Sequence, residues 1–77
     1  MSVSAVTPID VTFAVRLDQV DATTTYVGEA PIGSLDTEPR WRVRKLLTSG
    51  SVLSILWADG NQQFDNVWDN RASLTYI

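Results

Sequence analysis

Hydrophobic and polar residues alternate without a break from residue 9 to residue 18. Val11, Phe13, Val15 and Leu17 fall on one side, and Asp10, Thr12, Ala14, Arg16 and Asp18 on the other. A period of two predicts a half-buried β-strand, because successive side chains of extended backbone point to opposite faces. Residues 18–22 are polar enough to turn the chain, and residues 23–30 are rich in β-branched and aromatic types. The two segments therefore predict an antiparallel hairpin. Between Pro31 and Pro39 stand Gly33, Ser34, Asp36 and Thr37, a composition that suits neither a strand interior nor a helix and predicts a surface loop. Residues 41–47 and 52–58 predict two further strands, joined through Thr48, Ser49, Gly50 and Ser51.

Past Trp57 the pattern changes. Asp59-Gly60-Asn61 predicts a turn, and Phe64, Val67 and Trp68 then recur at i, i+3 and i+4, the spacing of one or two helical turns. Asp65 is placed to cap the start of that helix and Arg71 to complement its end. Residues 73–77 predict a last strand tied into the sheet, with Leu74 and Tyr76 on one side and Thr75 on the other. The fold class expected is all-β: a small antiparallel β-sandwich or partly open barrel of about five strands, with one short helical turn near the C-terminus. Phe13, Val15, Leu53, Ile55 and Trp57 form the expected core. Trp68 joins them, and Trp41, beside the proline loop, is expected to be the most exposed tryptophan. A sheet of this kind has edges, which are templates for pairing with another chain.

Length narrows the picture. The 77 residues make one domain, with residues 1–8 expected as an extended or flexible arm. A chain of this size buries only about 60% of the surface its unfolded form exposes, so stability is marginal without some supplement. Cysteine and histidine are both absent. Disulfides are thereby excluded and the usual ligand sets for zinc or haem are missing, which leaves association as the expected supplement. The net charge of −3 argues against a general nucleic-acid or anionic-membrane binder. The longest apolar stretch is far below the ~20 residues of a bilayer span, and residues 1–8 lack the basic start and apolar run of a signal peptide. The chain reads as an intracellular product.

Candidate chemistry is sparse. Without histidine or cysteine the common nucleophile dyads and triads cannot be assembled, and serine–lysine chemistry would have to use Lys45, the only lysine. Asp65 and Asp69 would share a helical face, which reads as capping and solvation. Asp59, Asn61 and Asp65 offer oxygen ligands, but their spacing does not match a twelve-residue calcium loop ending in Glu. Gly28 and Gly33 lack the spacing, the lysine and the following helix of a phosphate cradle. No enzyme activity, cofactor or metal is expected.

One cluster stands out as a partner surface. Arg40, Trp41, Arg42, Arg44 and Lys45 follow a proline-bounded loop that carries Ile32. Strand alternation puts Arg42 and Arg44 together on the face opposite Trp41 and Val43. They could be a solvated face whose arginines pair across strands with Asp10, Glu29 or Asp59, a site for an acidic protein patch, or a nucleic-acid contact. As a docking site, residues 31–45 would have the arginines meet acidic groups while Trp41 or Ile32 fills an apolar pocket. Three tryptophans in so short a chain also fit a carbohydrate platform built on Trp41 and Tyr26.

Finally, Tyr26-Val27-Gly28-Glu29-Ala30, then Trp41-Arg42-Val43, then Trp57-Ala58-Asp59-Gly60 and the run Phe64-Asp65-Asn66-Val67-Trp68-Asp69-Asn70-Arg71-Ala72-Ser73-Leu74-Thr75-Tyr76 resemble small proteins encoded among the virion genes of tailed bacteriophages. The likeness covers the chain from about Thr24 onward, and its last third is the specific part. It implies a virion-associated structural protein, an adaptor, decoration or tail component, present in multiple copies and bound to other virion proteins. No catalytic residues carry over. Two other functions compatible with the composition are a carbohydrate-binding module and a phage-encoded regulator that binds a host protein.

Overall fold

The computed structural model describes residues 13–77, in which four antiparallel strands form one sheet. They are β1 (Phe13–Asp21), β2 (Thr24–Pro31), β3 (Arg42–Ser49) and β4 (Val52–Trp57), hydrogen-bonded in chain order. The start of the first expected strand, the arm at residues 1–8 and Asp10 lie outside the described residues.

Two hairpins behave as the sequence predicts. The first turns at Ala22 and Thr23, where Asp21 Oδ1 accepts hydrogen bonds from the Thr23 N–H at 2.8 Å and the Thr23 hydroxyl at 2.9 Å. The second closes through Gly50 and Ser51 between the paired residues Ser49 and Val52, with Gly50 at φ 63°. A positive φ at the first central position suits the right-handed strand twist and comes at no steric cost to glycine. The Asp59-Gly60 turn has φ values of 60° and 70°, positive at both central positions.

Antiparallel pairing assigns every residue to a face. Ala14, Ala30, Gly28, Val43 and Ala58 share one face, and there the core forms: Ala30, Trp41, Val43, Ala58 and Trp68 are buried together, with Ala14, Tyr26, Leu74 and Tyr76 packed against them. The indoles of Trp41 and Trp68 meet at 5.8 Å between ring centroids. This face is roofed by residues 58–77. Trp41 and Asn66 exchange backbone hydrogen bonds at 2.9 and 3.0 Å, and Arg71 reaches across to Asp18 Oδ2 at 2.8 Å. Tyr76 donates its hydroxyl to the Arg71 carbonyl at 2.8 Å, and burial pushes its phenol well above the ordinary tyrosine range, with Tyr26 adding to the shift.

Several expectations need correction. The expected core face is the other one: Val15, Leu53 and Ile55 are about half exposed, and the core uses the side that in β1 reads as polar. Trp41 is completely buried, because its ring lies on the floor of small residues and its indole N–H donates to the Leu35 carbonyl at 3.0 Å. The short helix is a 3-10 helix at Trp68–Ser73 without a side-chain cap, and among the described residues Asp65 accepts only from the Asn66 amide. Residues 73–77 form no strand. They are tied to the sheet by a single bridge between Ala58 and Tyr76 and by reciprocal bonds between Trp57 and Ile77. Among the described residues the architecture is one sheet with a roof on one face.

Candidate functional site

The opposite sheet face carries Phe13, Val15 and Leu17 from β1, Val27 and Glu29 from β2, Arg42, Arg44 and Leu46 from β3, and Leu53, Ile55 and Trp57 from β4. Phe64 folds back over it, stacking on Phe13 at 5.4 Å between centroids. Leu17 is 71% exposed, Leu53 57% and Ile55 55%. Both edges of this face therefore present bare aliphatic side chains, while Val27 near its centre is buried.

A charged cluster occupies the end near Phe13. Glu29 Oε1 accepts from Arg42 Nε at 3.1 Å, Arg42 Nη2 at 2.8 Å and Arg44 Nη1 at 3.1 Å. One carboxylate thus serves two guanidinium groups, and the trio keeps a surplus positive charge. Arginine tolerates this position because its flat, weakly hydrated head stacks on rings. The Arg42 guanidinium carbon lies 4.6 Å from the Phe64 centroid and 5.6 Å from that of Trp57, and Arg44 lies 5.2 Å from Trp57. The rings hold both arginines in place, so a partner would meet them already oriented.

The six residues singled out in the sequence divide among four places. Arg42 and Arg44 come together on the open face, paired with Glu29 as one of the sequence alternatives allowed. Lys45 lies on the roofed face, its Nζ 5.3 Å from the Tyr76 ring. Trp41 is in the core, so it can neither fill a partner's pocket nor serve as a sugar platform. Ile32, 71% exposed, and Arg40, also exposed, belong to the loop at residues 31–40, outside strand β3. That loop is held by the Ser34 N–H and hydroxyl on the Pro31 carbonyl, at 3.0 and 2.7 Å, and by Glu38 on the Leu35 N–H at 2.7 Å. At its base Arg16 Nε approaches Asp36 Oδ1 to 3.3 Å without hydrogen-bond alignment, leaving that buried oxygen only a Coulombic partner.

Leu53 and Ile55 are surface residues that the sequence pattern assigns to the core, and Leu17 lies on the strand face expected to be half-buried. A signal was available in the small residues of the alternate positions, Ala14, Gly28, Ala30 and Ala58, which leave room for a roof on one side only. Among the described residues there is no pocket, and no three acidic residues group as metal ligands. No helix there is long and apolar enough to cross a membrane. No family model, curated protein or solved structure matches the chain.

Proposed function

We propose that this protein is a binding module that serves as a repeated structural component of a tailed-phage particle, docking on a neighbouring particle protein through the open sheet face. The observation that carries the docking is the exposure of Leu17, Leu53 and Ile55 on one face. Exposed apolar patches bordered by polar groups are typical of protein interfaces. The adjacent arginines suggest the chemistry of the partner: an apolar surface with an acidic group placed to meet the surplus charge of Arg42, Arg44 and Glu29. Arginine and aromatic side chains are the residue types that contribute most at such contacts. The particle context is supported by the resemblance of residues 24–76 to virion proteins.

The test is mass spectrometry of purified particles, with copy number taken relative to the major capsid protein, for the natural protein and for the Val15→Glu, Leu17→Glu variant. The natural protein should be present in many copies. The variant should keep its far-ultraviolet circular dichroism and be lost from particles. Absence of the natural protein from particles, or normal incorporation of the variant, would overturn the proposal.

A further inference from the structure

Arg42 and Arg44 are neighbours on the open face and share the Glu29 carboxylate, yet they are held differently. Arg42 meets Glu29 with Nε and Nη2, at 3.1 and 2.8 Å, so the side-on edge of its guanidinium, the edge that grips carboxylates bidentately, is already filled. Its guanidinium carbon lies 4.6, 5.6 and 5.8 Å from the Phe64, Trp57 and Phe13 ring centroids. Arg42 is thus fixed by one carboxylate and three rings. Arg44 reaches Glu29 with Nη1 alone, at 3.1 Å, and lies over one ring, that of Trp57, at 5.2 Å. Among the described residues its Nε and Nη2 donors have no partner, and its side chain is 27% exposed. The edge that Arg42 gives to Glu29 is open on Arg44.

The surroundings decide what that edge can accept. Arg44 pairs across the sheet with Val27 on one side and Trp57 on the other, and Leu46, two residues along the strand, pairs with Ile55. A guanidinium therefore stands among apolar side chains on the face proposed above for docking. Glu29 balances one of the two arginines, which leaves one positive charge over. A partner that covers this face takes water from that charge, which is strongly unfavourable unless an opposite charge replaces the water. An apolar partner without an acid is penalised, and one that brings a base is penalised further.

We infer that Arg44 is the specificity-determining residue of the open face, recognising a carboxylate that a partner protein presents between aliphatic side chains, with Arg42 and Glu29 as the positioning pair. The ligand is an acidic side chain in an apolar segment. Its carboxylate takes Nε and Nη2 of Arg44 side on, and the aliphatic groups beside it cover Leu46 and Ile55. A planar fork matches the two oxygens of a carboxylate, whereas an amide offers one acceptor and no charge. Resting on the docking reading above, this assignment concerns the chemistry of the partner and not its place in a particle.

NMR titration of the purified protein with N-acetyl-Leu-Glu-Leu-amide and with its Gln counterpart, up to about 20 mM peptide in about 0.15 M salt, tests it. The Glu peptide should shift the Arg44 Nε–H and Trp57 indole N–H resonances saturably and bind about tenfold tighter than the Gln peptide. Arg44→Gln should remove that preference with the far-ultraviolet circular dichroism unchanged. Should that variant fail to fold, Arg44→Lys keeps the charge without the fork and should retain only a small part of the preference. Arg40→Gln, in the loop, should leave it intact. No saturable shift with the Glu peptide, equal affinity for the two peptides, or a preference that survives in Arg44→Gln would overturn the inference. An equal loss in Arg40→Gln would do the same, by marking a general effect of charge. Normal incorporation of the Val15→Glu, Leu17→Glu variant into particles, with the Glu preference intact, would overturn the docking reading and leave the carboxylate site standing.

Discussion

On one face of the sheet, Ala14, Gly28, Ala30, Val43 and Ala58 lie on the side of the Trp41 and Trp68 indoles. On the other, Val15, Leu17, Leu53 and Ile55 stand in solvent. At these positions the larger side chains are on the exposed face. Their strands pair equally well on both sides, so backbone hydrogen bonding does not choose between the faces. The choice comes from the space available. Ala14 in β1, Gly28 and Ala30 in β2 and Ala58 just past β4 make a shallow floor on which flat aromatic rings can lie in close contact, and close contact over a large area is what burial of an indole requires. Gly28 sets the limit most sharply, since a Cβ there would come within 2.5 Å of the Trp68 ring. The open face keeps its aliphatics available for another protein. The roofed face supplies the stability, and the open one the docking surface.

The strongest way to break this comparison is to remove the roofed face's central ring. Trp41→Ala should cost about 3–5 kcal/mol, enough to unfold most of a domain with little reserve, as read by urea denaturation. A loss below about 1 kcal/mol would mean that the floor does not carry the fold. Gly28→Ala tests the floor from beneath. The Trp68 ring is fixed between Trp41 and the Arg71 guanidinium, 4.5 Å from its centroid, so it cannot yield freely. Overpacking of this kind should cost about 1–3 kcal/mol, measured by the same denaturation. Alanine at an exposed strand glycine would instead be harmless.

A smaller effect is expected at Arg71, which fastens the roof through Asp18 and through the Trp68 carbonyl at 3.1 Å. Both side chains of the ion pair are partly exposed, so screening reduces its worth, and Arg71→Ala should cost about 1 kcal/mol by thermal unfolding. Tyr76 sharpens the comparison through pH. Its folded phenol is held neutral above the ordinary value of 10.0, so the unfolded chain ionises first. Its contribution to stability is therefore complete below pH 10 and is lost as pH rises beyond it. The melting temperature should fall on the alkaline side, and Tyr76→Phe should flatten that fall.

The smallest effect is expected on the open face. Ile55→Ala, which would be severe if the alternation around β4 marked the core, should change stability by no more than about 0.5 kcal/mol in denaturation of the monomer. A cost of about 2 kcal/mol or more would mean that the face is covered in solution, and would return the core to the side that the sequence pattern first suggests.

The local grammar of this protein is legible residue by residue along the chain. Alternation set the strands, Gly50 and Asp59-Gly60 set turns that need positive φ, and the pair Pro31 and Pro39 bounded the loop. The placement of Arg42 and Arg44 together, opposite Val43, followed from strand period alone. Arg71 was legible only as a basic residue complementing the helix end, since its carboxylate partner, Asp18, lies 53 residues away in the chain. The tertiary structure decided which face is inside, and with it the fate of Trp41, Lys45, Leu17 and Ile55. A period of two says that a strand has two faces, and the hydrophobic count then favours the side with larger side chains. Burial depends on whether another part of the chain can reach a face and fit it, a property of residues 58–77 acting at a distance. In this protein the fit went to the side with alanine and glycine, because two indoles need a flat surface more than they need large neighbours.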